Sequence, residues 1–233
     1  MPDKHLSSQF DADLNHISAR VMELGGLVES QIRSAIDALT HFSPETAEDV
    51  LRTETKVNQL EVEIDRDIAS VVGRRQPTAR DLRLLLAMSK SNANLERAGD
   101  EAAKIARMVK SIIEAGATRT LPTHDLRSSA ELALGLLRKA LDAFARLDVP
   151  TAVRILREDD QIDQAFDGFV RKLITYMMED PRTISAGLDL LFVAKAIERI
   201  GDHAKNIAEF IIYIVKGEDV RHTPLAMVES TLG

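Results

Sequence analysis

The chain has 233 residues, a formal net charge of −7, 45% hydrophobic residues and no cysteine. That length can bury a core without covalent staples, and the missing cysteine excludes disulfides and thiolate metal sites. The acidic balance argues against nucleic acid, whose phosphates call for a basic footprint, and the longest apolar run, Phe210 to Val215, is far short of the roughly 20 residues of a membrane-spanning helix.

Helical periodicity runs through the chain and strand alternation does not. A first helix is expected from about Asp11 to Thr40. Ser43-Pro44 reads as a cap followed by proline in the first turn, opening a second helix to about Val72. The segment Gly73 to Thr78, with Pro77, should break it, and Thr78 with Asp81 resembles a capping box. A third helix follows to about Glu114, with Gly116 as its C-terminal cap. A fourth runs from Asp125 to about Leu147, and a turn at Asp148 to Pro150 leads to a fifth ending at Glu179. Asp180-Pro181 is another cap-plus-proline start, for a sixth helix to about Lys216. The tail from Gly217 is polar, contains Pro224 and is expected to be poorly ordered. Nothing at the N-terminus reads as a signal peptide, which fits a cytoplasmic protein.

The pattern is an internal repeat. Shifted by 105 residues, Ala35-Ile36-Asp37-Ala38 falls on Ala140-Leu141-Asp142-Ala143, and Gln59 falls on Gln164. After a three-residue deletion, Leu95 to Ala106 falls on Ile197 to Ala208 with seven of twelve positions identical. The expected fold is all-α: a tandem repeat of two antiparallel three-helix bundles, six long helices in all. The first spans 1–116 and the second 124–216, joined by a linker at 117–123 and followed by a tail at 217–233.

The repeated element with chemical potential is Glu-x-x-x-Asp: Glu96 and Asp100 in the first half, Glu198 and Asp202 in the second, the latter continued by Asn206. Residues four apart share a helix face, so each pair sets like charges together and invites a cation. They flank the apolar stripe Ile197, Gly201, Ala204, Ala208 and Ile211, which suggests edge or surface positions. Asp202 lies 21 residues after Pro181 and Asp159 lies 22 before it. Across an antiparallel hairpin those two reach the same level, with Asp163 one turn further along. Asp100 and Glu54 stand likewise 23 residues on either side of Pro77. An all-oxygen donor set suits magnesium, manganese or iron better than a structural zinc. The plainer alternative is a solvated acidic face neutralised by Arg97, Lys104, Lys195 and Lys205, each pairing being worth little.

The motifs Glu198-Arg199-Ile200-Gly201-Asp202-His203 and Glu96-Arg97-Ala98-Gly99-Asp100, Pro77 with Asp81-Leu82-Arg83, and Met22 to Glu29 resemble the PhoU family, over roughly residues 5–216. The resemblance implies two three-helix bundles and a negative regulator of the phosphate-starvation response. Such a regulator is an adaptor linking the ATPase subunit of a phosphate ABC transporter to a sensor histidine kinase, without catalysis. It also implies multinuclear metal, iron or zinc, on the acidic motifs. Carried over by position, that marks Glu96, Asp100, Glu198, Asp202 and Asn206, with Asp159 and Asp163 contributing and Glu54 as their counterpart in the first half. Two departures stand out: Lys104 where the family has Asn, and Asn58 where it has Asp. Lys104 is therefore expected to neutralise Asp100 without a metal. A homodimer held at the inner membrane only through its partners is the assembly expected. The competing reading is a carboxylate-rich metal-binding or metal-storage bundle. A di-metal oxidase fits less well, because the paired Glu-x-x-His motifs of such bundles are missing.

Overall fold

A computed structural model describes residues 8–116 and 122–232. The described residues contain no strand. Six long helices follow in order: α1 (Ser8–His41), α2 (Pro44–Arg75), α3 (Ala79–Glu114), α4 (His124–Arg146), α5 (Val149–Glu179) and α6 (Ile184–Lys216). A short α7 (Leu225–Leu232) closes the chain. The all-α tandem repeat read from the sequence is the architecture found. Most of the linker expected at 117–123 lies outside the described residues.

Local chemistry sets the helix starts. The Ser43 hydroxyl accepts from the Thr46 N–H at 3.1 Å, and Asp148 accepts from the Thr151 N–H at 3.1 Å, each satisfying an otherwise orphaned donor. Asp180 does the same for Arg182, but what it opens is one 3₁₀ turn (Pro181–Thr183), with α6 proper beginning at Ile184. Gly116 and Gly217, at φ +68° and +81°, take the left-handed conformation that ends α3 and α6.

Several expectations need correcting. α2 runs through Gly73 to Arg75 and ends at Gln76 in a left-handed conformation. A glycine inside a helix costs only about 1 kcal/mol, less than the surrounding packing supplies. Thr78 makes no side-chain cap, so the capping box does not form. Pro150 lies within the first turn of α5, with Asp148 as the cap before it. The tail carries α7, which buries Val228 against α5 and is tied by an ion pair from Arg157 Nε to Glu229 Oε1 at 2.5 Å.

The helices stack in two layers. α1 touches α2, α3 and α4, while α4 touches α5, α6 and α1. α2, α3, α6 and α5 lie side by side in that order, α1 and α4 beneath them. The buried stripe of α1 (Ile17, Val21, Leu24, Val28, Ile32, Ala35, Leu39) recurs every three or four residues, so one face alone enters the core. α3 and α6 are buried over a wider arc rich in alanine, and their seam is the most extensive helix contact in the molecule. They run antiparallel: Glu101 meets Arg199, Asn94 meets His203 and Asn206, and Ser111 meets Asp189. At that register Gly99 and Gly201, 102 residues apart, stand at one level, and a pseudo-twofold axis passes between them.

Candidate functional site

The side chains that repeat between the halves gather on the open face of the four-helix layer. Gly201 lets α5 approach α6 closely. A Cβ there would meet Ile162 Cδ1 at 2.8 Å and Asp159 Oδ1 at 3.2 Å. Gly99 likewise admits α1 and α2 to α3, where a Cβ would stand 2.9 Å from Gln31 Oε1 on α1 and 3.2 Å from Val57 Cγ1 on α2. The glycine between each Glu and Asp is thus what brings the facing carboxylate helix into range.

In the second half, Asp159, Asp163, Glu198 and Asp202 come together across the α5–α6 groove. Asp159 is only 1% exposed, not on a solvated surface. Lys205 Nζ donates to its Oδ2 at 2.9 Å, and burial is the leading influence on the Lys205 pKa, outweighed by Asp159, Glu209 and Asp202 together, which raise it. Lys195 Nζ donates to Glu198 Oε1 at 2.7 Å, while the other oxygen, Oε2, is buried without a hydrogen-bond partner. Burial, then the charges of Glu198, Asp159 and Asp163, push Asp202 up to about 6. Asp163 is raised too, by burial and then by Asp159. Asn206 stands apart: its amide donates to Asn94 Oδ1 at 2.9 Å across the α3–α6 seam.

The first half repeats the groove with different counter-ions. Glu54 and Asp100 meet across α2 and α3, as the level argument requires, and Arg107 Nη1 donates to Glu54 Oε2 at 3.3 Å. Burial raises Glu54 and Glu96, and neighbouring carboxylates add to it. Among those neighbours is Glu61, itself raised by burial and then by Asp65. Sequence reasoning missed Glu61 because its repeat counterpart is Phe166, so no duplicated motif flags it. Lys104 does not neutralise Asp100 as expected. It donates to Glu101 Oε2 at 3.3 Å, one turn away on its own helix.

Between the two grooves, on the pseudo-twofold axis, a cavity of about 730 Å³ opens over the seam, closed on one side by Arg221 to Thr223 of the C-terminal segment. Here the halves differ. Arg199 donates to the buried Glu101 at 3.1 Å, but the position equivalent to Glu101 is His203, beside Arg97. Burial lowers His203 to about 4, and its Nδ1 lies 3.1 Å from Asn94 Oδ1.

As they stand, no three histidine, aspartate or glutamate side chains among the described residues converge on one ion position. The donor chemistry nevertheless fits a hard cation: oxygen ligands at one level, and one carboxylate oxygen, Glu198 Oε2, left without a partner. Lys195 and Lys205 supply the positive charge in the present arrangement.

The family model described as the PhoU domain matches residues 21–109 and 126–211. A phosphate-specific transport system accessory protein homolog from a Burkholderia species is 52% identical over 223 residues, covering 95% of both chains. The accessory protein PhoU of Escherichia coli K12 is 47% identical over 221 residues, covering 94% of this chain and 90% of that one. The crystal structure of PhoU from Pseudomonas aeruginosa matches with a TM-score of 0.86 at 40% identity, over 90% of this chain and all of that one.

Proposed function

The chain belongs to the PhoU family, and we propose on that basis that it is an accessory regulator of phosphate transport that represses the phosphate-starvation response. The observation carrying this reading is the near-full-length identity to proteins named phosphate-specific transport system accessory proteins. In this reading the chain is a cytoplasmic adaptor between the transporter's ATPase subunit and a sensor histidine kinase, and carries out no catalysis. None of its helices is long and apolar enough to cross a membrane among the described residues, so its place at the membrane comes through those partners.

Deletion tests the proposal. A reporter on a phosphate-regulated promoter should rise in a deletion strain grown in abundant phosphate and fall again when the chain is restored. A reporter that stays silent, with any paralogue also removed, would overturn it.

A second reading adds to the first. Hard cations would bind the second-half groove, held by Asp159, Asp163, Glu198 and Asp202, and Glu198 Oε2 favours it as a buried oxygen without a donor. The first-half set is Glu54, Glu96 and Asp100. Such a cation would supply charge neutralisation in place of Lys195 and Lys205. Manganese, magnesium and iron suit these oxygens; zinc suits them less.

A further inference from the structure

The repeat carries one surface feature that is neither core nor acidic motif. Leu86 and Leu188 are related by the same 102-residue offset as Gly99 and Gly201. Both are exposed, and to nearly the same degree, 44% and 45%. Each sits on the face of its helix that bears the acidic motif. From Leu86, Arg97 and Asp100 follow at 11 and 14 residues; from Leu188, Arg199 and Asp202 follow at the same spacings. Three or four whole turns return to nearly the same angle. Each half therefore presents an apolar anchor about 20 Å along the helix from a groove of carboxylates, from 14 residues at the helical rise. Each groove gathers more carboxylates than the cations paired with them: Lys195 and Lys205 pair with Glu198 and Asp159 beside Asp163 and Asp202, and Arg107 pairs with Glu54 beside Glu96 and Asp100.

The two anchors are far apart. Lys90 lies over the rings of Phe210 and Tyr213, so Leu86, one turn earlier on α3, is level with the C-terminal end of α6. Leu188 lies near the other end of α6. The separation is about 40 Å, from roughly 26 residues of helix. One short helix cannot reach both, but two copies of the same element, related by a twofold axis, meet the surface with axes coincident.

We propose that the open face is a duplicated docking surface for a twofold-symmetric partner, whose two identical basic amphipathic helices each set leucine-type side chains against Leu86 or Leu188 and lysine or arginine over the neighbouring carboxylates. One copy of this chain then serves one partner dimer. The proposal rests on the reading that the chain works by contacting other proteins. The halves are not equal in strength. Leu188 is surrounded by the exposed Ile184 and Phe192, whereas Leu86 has the smaller patch, so the second half engages first.

The test uses the full chain in chelator and a synthetic 18-residue leucine–lysine amphipathic helix, free or joined in pairs by a flexible tether able to span about 40 Å. Calorimetry should give two free peptides per chain, and one tethered pair per chain with at least a tenfold gain in affinity. Leu86→Asp and Leu188→Asp should each remove one of the two sites, and both together should remove binding. A stoichiometry of one for the free peptide, or equal binding of a peptide with its leucines changed to alanine, would overturn the proposal. So would a homodimer of this chain that Leu86→Asp or Leu188→Asp splits, because a second copy would then cover the face. If the leucine variants lose their sites while phosphate-reporter repression is untouched, the docking surface stands and the regulatory reading falls. Unaltered peptide binding by those variants overturns the surface itself.

Discussion

Lys205 Nζ sits 2.9 Å from Asp159 Oδ2, and that carboxylate is 1% exposed. At the same repeat position in the first half, Glu54 is paired with Arg107 at 3.3 Å, with the arginine half exposed. The two grooves are homologous in sequence but differ in how their charges are neutralised: one pair is largely withdrawn from water and the other is solvated.

Their stability effects should therefore differ. Removing one member of a fully buried pair costs about 3–5 kcal/mol. Lys205 keeps some solvent access, so Lys205→Ala should cost about 2 kcal/mol. Arg107→Ala should cost about 1 kcal/mol or less, as exposed pairs do. Urea denaturation of the two variants at pH 7 measures the contrast, and equal losses would contradict it.

The glycines give an independent check. Gly201→Ala presses a methyl group onto Ile162 and Asp159, and overpacking of this kind costs about 1–3 kcal/mol. Gly26 has no atom within 4 Å of where its Cβ would be. Gly26→Ala should therefore stabilise by up to about 1 kcal/mol through helix propensity alone. Thermal unfolding should move in opposite directions for the two. Gly25, the neighbour of Gly26, differs again: its Cβ would lie 2.5 Å from Leu141 Cδ2 on α4, so close packing of α1 on α4 is the reason for that glycine.

Asp202 and His203 should pull the pH profile in opposite senses. Asp202 titrates at about 6 when folded, against about 3.9 when unfolded. The folded state holds the proton more tightly, so this group's contribution to stability falls as pH rises from about 4 to 6. His203 is lowered to about 4, against about 6.5 unfolded. The folded state holds that proton less tightly, so its contribution falls as pH drops from about 6.5 to 4. In chelator, Asp202→Asn should gain stability at pH 7 and show a curve that rises with pH across this window. His203→Gln should show one that declines. Identical slopes for both variants would refute the assignment.

Metal content tests the second groove. Purified protein equilibrated with manganese and then desalted should retain ions that Glu198→Gln/Asp202→Asn does not retain. The wild type should also melt higher with manganese than in chelator, while the double variant shows no shift. Equal retention by both would remove the metal reading.

Much of this molecule is legible in its sequence, and the misses have physical causes. The start of α2 at Ser43 and the turn at Asp180 that leads into α6 follow from caps and prolines, and equal arm lengths about Pro77 and Pro181 place Glu54 against Asp100 and Asp159 against Asp202. Periodicity reports an angle around a helix, but not how far a neighbouring helix overhangs it. Asp159 is buried because Gly201 admits α5 so closely, a tertiary effect. Lys104 reaches Glu101 instead of Asp100 because Glu101 lies in the seam and is the nearer acceptor three residues back. α7 escaped notice because eight residues around a single buried valine carry too little periodic signal.

The α3–α6 seam has a consequence for the halves taken singly. Each inner helix is buried on several sides only because the other half lies against it, so a half-length chain carrying residues 122–232 would expose the alanine-rich flank of α6 to water. The pseudo-twofold axis beside Gly201 supplies the remedy. Two such fragments can meet across it as α3 and α6 do, each lending the other the surface it lacks. A half-gene product should accordingly assemble as a symmetric pair that rebuilds the shape of the whole, and the full chain is in effect such a pair made permanent by a single covalent connection.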